Sequence, residues 1–371
     1  MESKHIAVFI KYLSIGGLQK VLVRLANEFA DRGHRVDLVL AKGEGPLADE
    51  VAPNVRIVAL DSRRMWWGLP NLMRYLRQSR PDTLLVAGWQ VNVIATWAKL
   101  LSLTPFRLVV SVRSNITQQS ENSDVWYAPY NPLAVKIFYP LADAIITISR
   151  GILKDLADIS SRAAKKGNVV YNPTVDRNLI EKSRQEVSHP RFAQENGVPV
   201  LLGVGRLGPQ KNFALLLRAF ARLSQRRNVR LVILGDGNKR GKLEALAHEL
   251  DIQDSVDFLG FVENPYKYMA NASLLVLSSR FEGFGNVLVE ALACGCPVVS
   301  TDCPSGPREI LEDGKWGRLV PVGDEAALAE AMDEALAETH DPERLRRRAM
   351  DFSVEKAVDD YLDVLIPSAN D

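Results

Sequence analysis

The chain has 371 residues, 47% of them hydrophobic and 25% charged, with 46 Lys and Arg against 45 Asp and Glu for a formal net charge of +1. At about 150 residues per domain this length gives two compact domains, and the composition excludes a disulfide miniprotein, a disordered or fibrous chain and a nucleic-acid coat. The balance conceals a polarity: residues 1–180 carry +8 and residues 181–371 carry −7, so the first half suits an anionic partner as readily as it suits uneven, solvated surface charge.

Ile6–Ile10 followed by Lys11 is too short for a signal-peptide core and predicts a buried first strand. Further strands are expected at Val36–Leu40, Val55–Ala59, Thr83–Ala87, Leu108–Val112 and Ala144–Ile148, alternating with helices at Leu18–Arg32, Leu69–Ser79, Val91–Leu101 and Gly151–Ala157. Gly88, Gln90, Asn92 and Lys99 interrupt the most apolar window, Leu84–Leu103, which therefore predicts strand, turn and buried helix rather than a membrane span. A cytoplasmic location is therefore expected. Arg63, Arg64, Trp66 and Trp67 lead into the Leu69–Ser79 helix with its Arg74 and Arg77. Trp and Arg together suit an anionic lipid interface, whereas Leu72 and Leu76, four residues apart, equally suit a core-facing helix.

The polar stretch 181–195 predicts a linker between domains 1–180 and 196–371. Beyond it follow strand Val200–Val204, helix Phe213–Gln225, strand Arg230–Leu234, helix Lys239–Leu250, strands Val256–Leu259 and Leu274–Leu277, helix Asn286–Ala293 and strand Pro297–Ser300. The expected fold is α/β: two doubly wound Rossmann-like domains facing across a cleft, with ligands beyond the carboxyl ends of the strands. The last helix of the chain is expected to pack back on the first domain.

Gly203-Val204-Gly205-Arg206-Leu207-Gly208 satisfies a dinucleotide-binding pattern directly after a strand. There the helix opens within the glycines, whereas here Pro209 to Asn212 intervene, with Asn212 the expected N-cap. The loop supplies two cations instead, Arg206 and Lys211, which suit a diphosphate because charge-assisted hydrogen bonds contribute about 1.5–3 kcal/mol each. Glu282-Gly283-Phe284-Gly285-Asn286 follows the strand Leu274–Leu277 and opens a helix carrying Glu290, with Asn286 the expected cap. Backbone amides at such a helix start suit phosphate, and the two carboxylates suit ribose and sugar hydroxyls. Paired glutamates also arise from helix-dipole preference alone.

Cys294, Cys296 and Cys303 have no neighbouring His to complete a zinc set and are expected as reduced, buried thiols. His5, His34, His189, His248 and His340 form no catalytic spacing and are expected to be structural or solvated. No Asp-x-Asp occurs, so no metal is expected.

Gly205-Arg206 to Lys211-Asn212, followed by Glu282-x7-Glu290, resembles the retaining GT-B glycosyltransferases, specifically glycosyltransferase family 4. The resemblance is dense from Gly203 to Asp324 and thinner before it, where Gly16-Gly17, Ser111 to Asn115 and Tyr171-Asn172-Pro173 match. It implies that Arg206 and Lys211 hold the donor diphosphate, Glu290 the ribose, and Glu282 with the amides of Phe284 and Gly285 the transferred sugar. It likewise implies that Phe261 and Val262 form the base-binding turn, and that Gly16 and Gly17 let a first-domain loop approach the phosphate. Two departures are present: Gln19 stands where the family often has Glu, and Arg113 where it frequently has His. Arg113-Ser114-Asn115 and Cys303 to Ile310 resemble a bacterial subgroup that elongates polyprenyl-diphosphate-linked glycans with Gal or N-acetylhexosamine. The implied partners are a UDP-sugar as substrate, a lipid-linked glycan acceptor and an anionic membrane surface, with no cofactor and no nucleic acid. A glycoside hydrolase using Glu282 and Glu290 and a non-enzymatic two-domain binding protein are the competing classes.

Overall fold

The computed structural model describes residues 2–14, 16–43, 45–61, 68–122, 128–192 and 197–367. The chain forms two units, Met1–Pro173 together with Val354–Asp371, and Thr174–Ser353.

The first unit is built on seven parallel strands: β1 (His5–Ile10), β2 (Arg35–Leu40), β3 (Val55–Ala59), β4 (Thr83–Ala87), β5 (Arg107–Val112), β6 (Ala144–Thr147) and β7 (Gly167–Val169). Their order is β3-β2-β1-β4-β5-β6-β7, so the direction of winding reverses between β1 and β4. Every residue of β1 and β4 is buried. That explains their unbroken apolar runs, since helices cover both faces of such a sheet.

The last helix, Val354–Leu365, belongs to this unit and buries Val354, Ala357, Val358, Tyr361, Leu362 and Leu365, a single helical stripe. Each large side chain in that stripe contributes about 1.5–3 kcal/mol of burial. Thr83 Oγ1 donates to the Leu365 carbonyl at 2.8 Å and Arg107 Nε to that of Val364 at 3.0 Å. These bonds satisfy carbonyls that the helix end leaves unpaired.

The second unit has six parallel strands: β8 (Val200–Val204), β9 (Arg230–Leu234), β10 (Val256–Gly260), β11 (Leu274–Leu277), β12 (Val298–Thr301) and β13 (Arg318–Val320). Their order is β10-β9-β8-β11-β12-β13, reversing between β8 and β11. The chain passes into this unit at Pro173–Thr174, not through the expected linker at 181–195. Glu181–Ser183 end the helix Arg177–Ser183, which is capped by Asp176 through a 2.7 Å bond to the Leu179 amide and anchored by buried Leu179. Asn264 Nδ2 holds the Lys182 carbonyl at 2.9 Å. Glu181–Ser183 thus belong to a docked helix.

Candidate functional site

In an open α/β sheet the loops at the carboxyl ends of the two strands flanking the reversal splay apart and leave room for a ligand. In the second unit those loops follow β8 and β11, and they carry Arg206, Lys211 and Glu282. Gly205, at φ 151°, follows β8, and a Cβ there would lie 3.0 Å from Lys211 Cε. Glycine thus lets the lysine stem cross the strand end. Lys211 Nζ donates to Glu282 Oε1 at 2.7 Å, and Ser279 Oγ donates to the same oxygen at 2.6 Å. Glu282 is buried, yet its Oε2 accepts no hydrogen bond from the described residues. The two loops are also joined through backbone: Ser278 Oγ to the Lys211 carbonyl at 2.9 Å, the Arg280 amide to that of Gln210 at 2.8 Å, and Gln210 Nε2 to that of Phe281 at 3.0 Å. A removed partner would leave a buried charge uncompensated, which costs about 3–5 kcal/mol. Arg206 is exposed, and no described side chain bonds it.

The Gly203–Gly208 glycines precede the helix Phe213–Ser224 instead of opening it. Asn212 occupies the cap position at φ 48°, but its side chain makes no capping bond. The helix Asn286–Cys294 is entered through Gly285 at φ 96°, so Gly285 and not Asn286 is the cap residue, and Asn286 is the first helical position. A left-handed entry favours glycine, which overrides the capping preference of asparagine. Glu290 lies one turn further on, half-buried. The Phe284 ring is buried edge-on against Phe352 with centroids 5.5 Å apart, which leaves its backbone as the group facing the loop. Phe261, 75% exposed, and half-buried Val262 follow the carboxyl end of β10, where the Gly235 amide bonds the Gly260 carbonyl at 2.7 Å.

Two residues to which sequence reasoning gave no role of their own belong to this cluster. Ser279 orients Glu282, and only the register of the β11 loop reveals it. Ser305 lies after β12, between Pro304, whose carbonyl accepts from the Glu282 amide at 3.3 Å, and Gly306, where a Cβ would fall 1.7 Å from the Phe284 carbonyl oxygen. Ser305 holds φ 69° and is 7% exposed, and its hydroxyl finds no partner among the described residues. Strained backbone and an unsatisfied buried hydroxyl recur at functional sites. The Cys303 thiol is pushed up to about 12 by burial and the Glu282 charge, and the Cys294 thiol to about 12 by burial and that of Glu290. These are inert, packed thiols. Among the described residues no group of three or more His, Cys, Asp or Glu is placed to hold a metal ion.

In the first unit, Gly16 precedes the helix Gly17–Asp31 with extended backbone, φ −168°. A Cβ at Gly17 would meet nothing within 4 Å, and one at Gly16 only the side-chain amide of Gln19, its oxygen at 2.7 Å. Folding therefore makes no evident demand for glycine at position 17. Arg113, after β5, donates to Asn172 Oδ1 at 2.6 Å and to the hydroxyl of Tyr361 in the last helix at 3.1 Å. Arg63, Arg64, Trp66 and Trp67 lie outside the described residues. On the helix Gly68–Ser79, Leu72, Tyr75 and Leu76 are buried while Arg74 and Arg77 are exposed. The apolar stripe of that helix thus serves the core and not a lipid surface.

The model described as Glycosyl transferases group 1 matches residues 184–352, and that of Glycosyltransferase Family 4 matches residues 15–176. A Campylobacter jejuni N-acetylgalactosamine-N,N'-diacetylbacillosaminyl-diphospho-undecaprenol 4-alpha-N-acetylgalactosaminyltransferase is 38% identical over 242 residues, 64% of this chain and 63% of that protein. The chain thus spans less than two thirds of that relative's length. A second transferase of that organism, which adds alpha-1,4-N-acetyl-D-galactosamine to an undecaprenol-linked glycan, is 26% identical over 98% of this chain and 99% of its own. Anabaena HepE, solved in complex with UDP, superposes with a TM-score of 0.78 at 20% identity, covering 98% of this chain and 99% of that one. These matches and the two reversing parallel sheets agree: the chain carries a Glycosyltransferase Family 4 domain followed by a Glycosyl transferases group 1 domain, in the GT-B fold.

Proposed function

We propose that the protein is a retaining glycosyltransferase that moves a hexose or N-acetylhexosamine from a UDP-sugar to a polyprenyl-diphosphate-linked glycan in bacterial surface polysaccharide synthesis. The observation that carries this reading is the Lys211–Glu282 pair at the sheet reversal, where a buried carboxylate keeps one oxygen unbonded beside a cation. In this reading Arg206 and Lys211 take the diphosphate, and Glu282 with the backbone of Phe284 and Gly285 takes the sugar. Glu290 holds the ribose, and the turn at Phe261 and Val262 holds the base. From β10 to β11 is three strand spacings, about 14 Å, a span suited to an extended nucleoside diphosphate sugar.

As the bond from the anomeric carbon to the phosphate oxygen breaks, its electron pair leaves with UDP and negative charge grows there. Cations fixed beforehand stabilise that charge most at the transition state. The acceptor hydroxyl attacks from the same face and gives its proton to the departing phosphate. Arg113, oriented by Asn172 and Tyr361, supplies a cation on the acceptor side. The two cations, and no metal, neutralise the diphosphate, and the enzyme works at the inner face of the cytoplasmic membrane, where lipid-linked acceptors present their sugars.

The test is a panel of nucleotide sugars read by nucleoside diphosphate release, with a polyprenyl-diphosphate glycan as acceptor and with chelator added. Acceptor-dependent UDP release that survives the chelator is expected. Glycan cleavage without UDP release would favour a hydrolase, no release with any acceptor a binding protein, and activity restored only by manganese a metal-bridged diphosphate.

A further inference from the structure

Eight of the twelve large apolar side chains exposed among the described residues fall between positions 97 and 141 of the first unit. They lie on, or within three residues of, two neighbouring helices, Trp89–Ser102 and Asn131–Phe138, joined by the Trp97 and Phe138 rings at 5.7 Å. The first helix buries Val91, Ile94, Ala95 and Ala98 inward, yet presents Trp97, Leu100 and Leu101 outward. The second buries Val135 and presents Leu133 and Ile137. A surface helix normally turns a polar face to water, and one that is apolar all round has a second apolar neighbour. The cap residue of the first helix, Leu103, is more telling. It sits at φ 53° and is 91% exposed, at a position where glycine would relieve the backbone and a polar residue would suit water. Folding of the chain gives no reason for that leucine.

The segments that form this face carry charge of one sign. No Asp or Glu occurs from Thr83 to Phe106 or from Ala128 to Ala142. Lys136 is exposed, and Lys166 Nζ is held beside Leu141 by the carbonyls of Pro140 and Ala142 at 2.8 and 2.7 Å. Arg77 reaches from the adjoining helix to the Ser102 carbonyl at 3.3 Å. Asp143, at the border, is paired with Lys99. A second copy of the chain would oppose like charges, whereas an anionic bilayer meets both the apolar stripe and its basic rim. No helix among the described residues is long and apolar enough to cross a membrane, so the face would rest in the headgroup layer.

We infer that the outer face of the Trp89–Ser102 and Asn131–Phe138 helices, with Leu103 at its tip, is the surface by which this protein docks on anionic lipid. The inference rests on the lipid-linked acceptor reading and supplies the surface that brings the enzyme to that acceptor. The experiment is flotation of the full chain with phosphatidylcholine vesicles, with and without phosphatidylglycerol, alongside UDP titration and thermal melting. The wild type floats with anionic vesicles and far less with neutral ones. Leu103→Gly weakens flotation about tenfold, as expected for one lost leucine side chain, while its melting temperature stays level or rises. Leu133→Ser with Ile137→Ser weakens it further, and UDP affinity is unchanged in all variants. The inference is overturned if the wild type stays with the soluble fraction, if the variants float as well as it does, or if light scattering shows a dimer that the Ile137 substitution dissolves. Intact flotation with no UDP release on any lipid-linked acceptor would overturn the transferase reading and leave the docking face standing.

Discussion

Two buried carboxylates, one in each unit, are held in opposite ways. Asp37 of β2 is fully buried and saturated: His5 Nε2 at 2.8 Å, Tyr75 Oη at 2.6 Å and Arg56 Nη2 at 2.5 Å meet Oδ2, and Arg56 Nε meets Oδ1 at 2.8 Å. Glu282 receives Lys211 and Ser279 on one oxygen only. A fully buried carboxylate bonded on both oxygens ties strands and a helix together and offers nothing to a ligand, whereas one satisfied on a single side is oriented and still able to bind. In the proposed donor site, the difference separates a group that holds the fold from one left able to take a substrate. It also follows position, since Glu282 lies at the carboxyl ends of the strands by the sheet reversal and Asp37 lies within its strand.

The largest effect that sharpens the contrast is on stability. Asp37→Ala strands Arg56, His5 and Tyr75 and is expected to cost the first unit about 3–5 kcal/mol in denaturant unfolding. Burial alone would raise the Asp37 pKa, but the bonds from His5, Arg56 and Tyr75 outweigh it and hold the carboxyl well below the usual range. A depressed carboxylate stabilises above its unfolded pKa of about 4 and loses that contribution as pH falls below it. The first unit of the wild type should therefore weaken below about pH 4 more steeply than that of the Asp37→Ala variant, and parallel pH curves would contradict this account of the cluster.

Next come the donor-site substitutions. Glu282→Gln and Lys211→Ala are each expected to raise the barrier by about 2–4 kcal/mol, on the order of a hundredfold or more in turnover. Arg206→Ala should lose a comparable factor while changing stability by less than about 0.5 kcal/mol, because the side chain is exposed. Steady-state kinetics beside melting curves distinguishes these cases. Normal turnover in all three would dissolve the contrast with Asp37.

Smaller effects separate glycine and strain in the two units. Ser305→Gly removes a left-handed serine and should stabilise the second unit by about 1 kcal/mol in denaturant unfolding; a loss of stability would show that its hydroxyl matters to the fold. Gly17→Ala meets nothing nearby and should leave stability level or raise it by up to about 1 kcal/mol, yet lower turnover on the expectation that the loop opening this helix meets the donor phosphate. Unchanged turnover would remove that loop from the site.

Much of the fold was legible because buried parallel strands are nearly continuous apolar runs: β8, β9 and β11 have the boundaries that their residues predict. The short strands β7 and β13 escaped, since three residues with at most one of them buried leave no pattern. The place of Lys211 and Glu282 after strands was legible, but the bond from Ser279 to Glu282 and the buried position of Ser305 were not, because they arise from loops that meet only in the folded chain. The same holds for Asp37, whose partners come from β1, β3 and a helix. At the Asn286 helix the capping preference of asparagine misled, since the turn needed a glycine first. The stretch before the Gly68–Ser79 helix, where Arg and Trp suggested lipid contact, lies outside the described residues, and the exposed apolar face of the first unit stands on other helices.

The most direct test of the central claim is calorimetric titration of UDP into the wild type and into Arg206→Ala and Lys211→Ala. The account predicts that each variant binds at least about tenfold more weakly, the loss of one charge-assisted contact to the diphosphate. Equal affinity in all three proteins would contradict it.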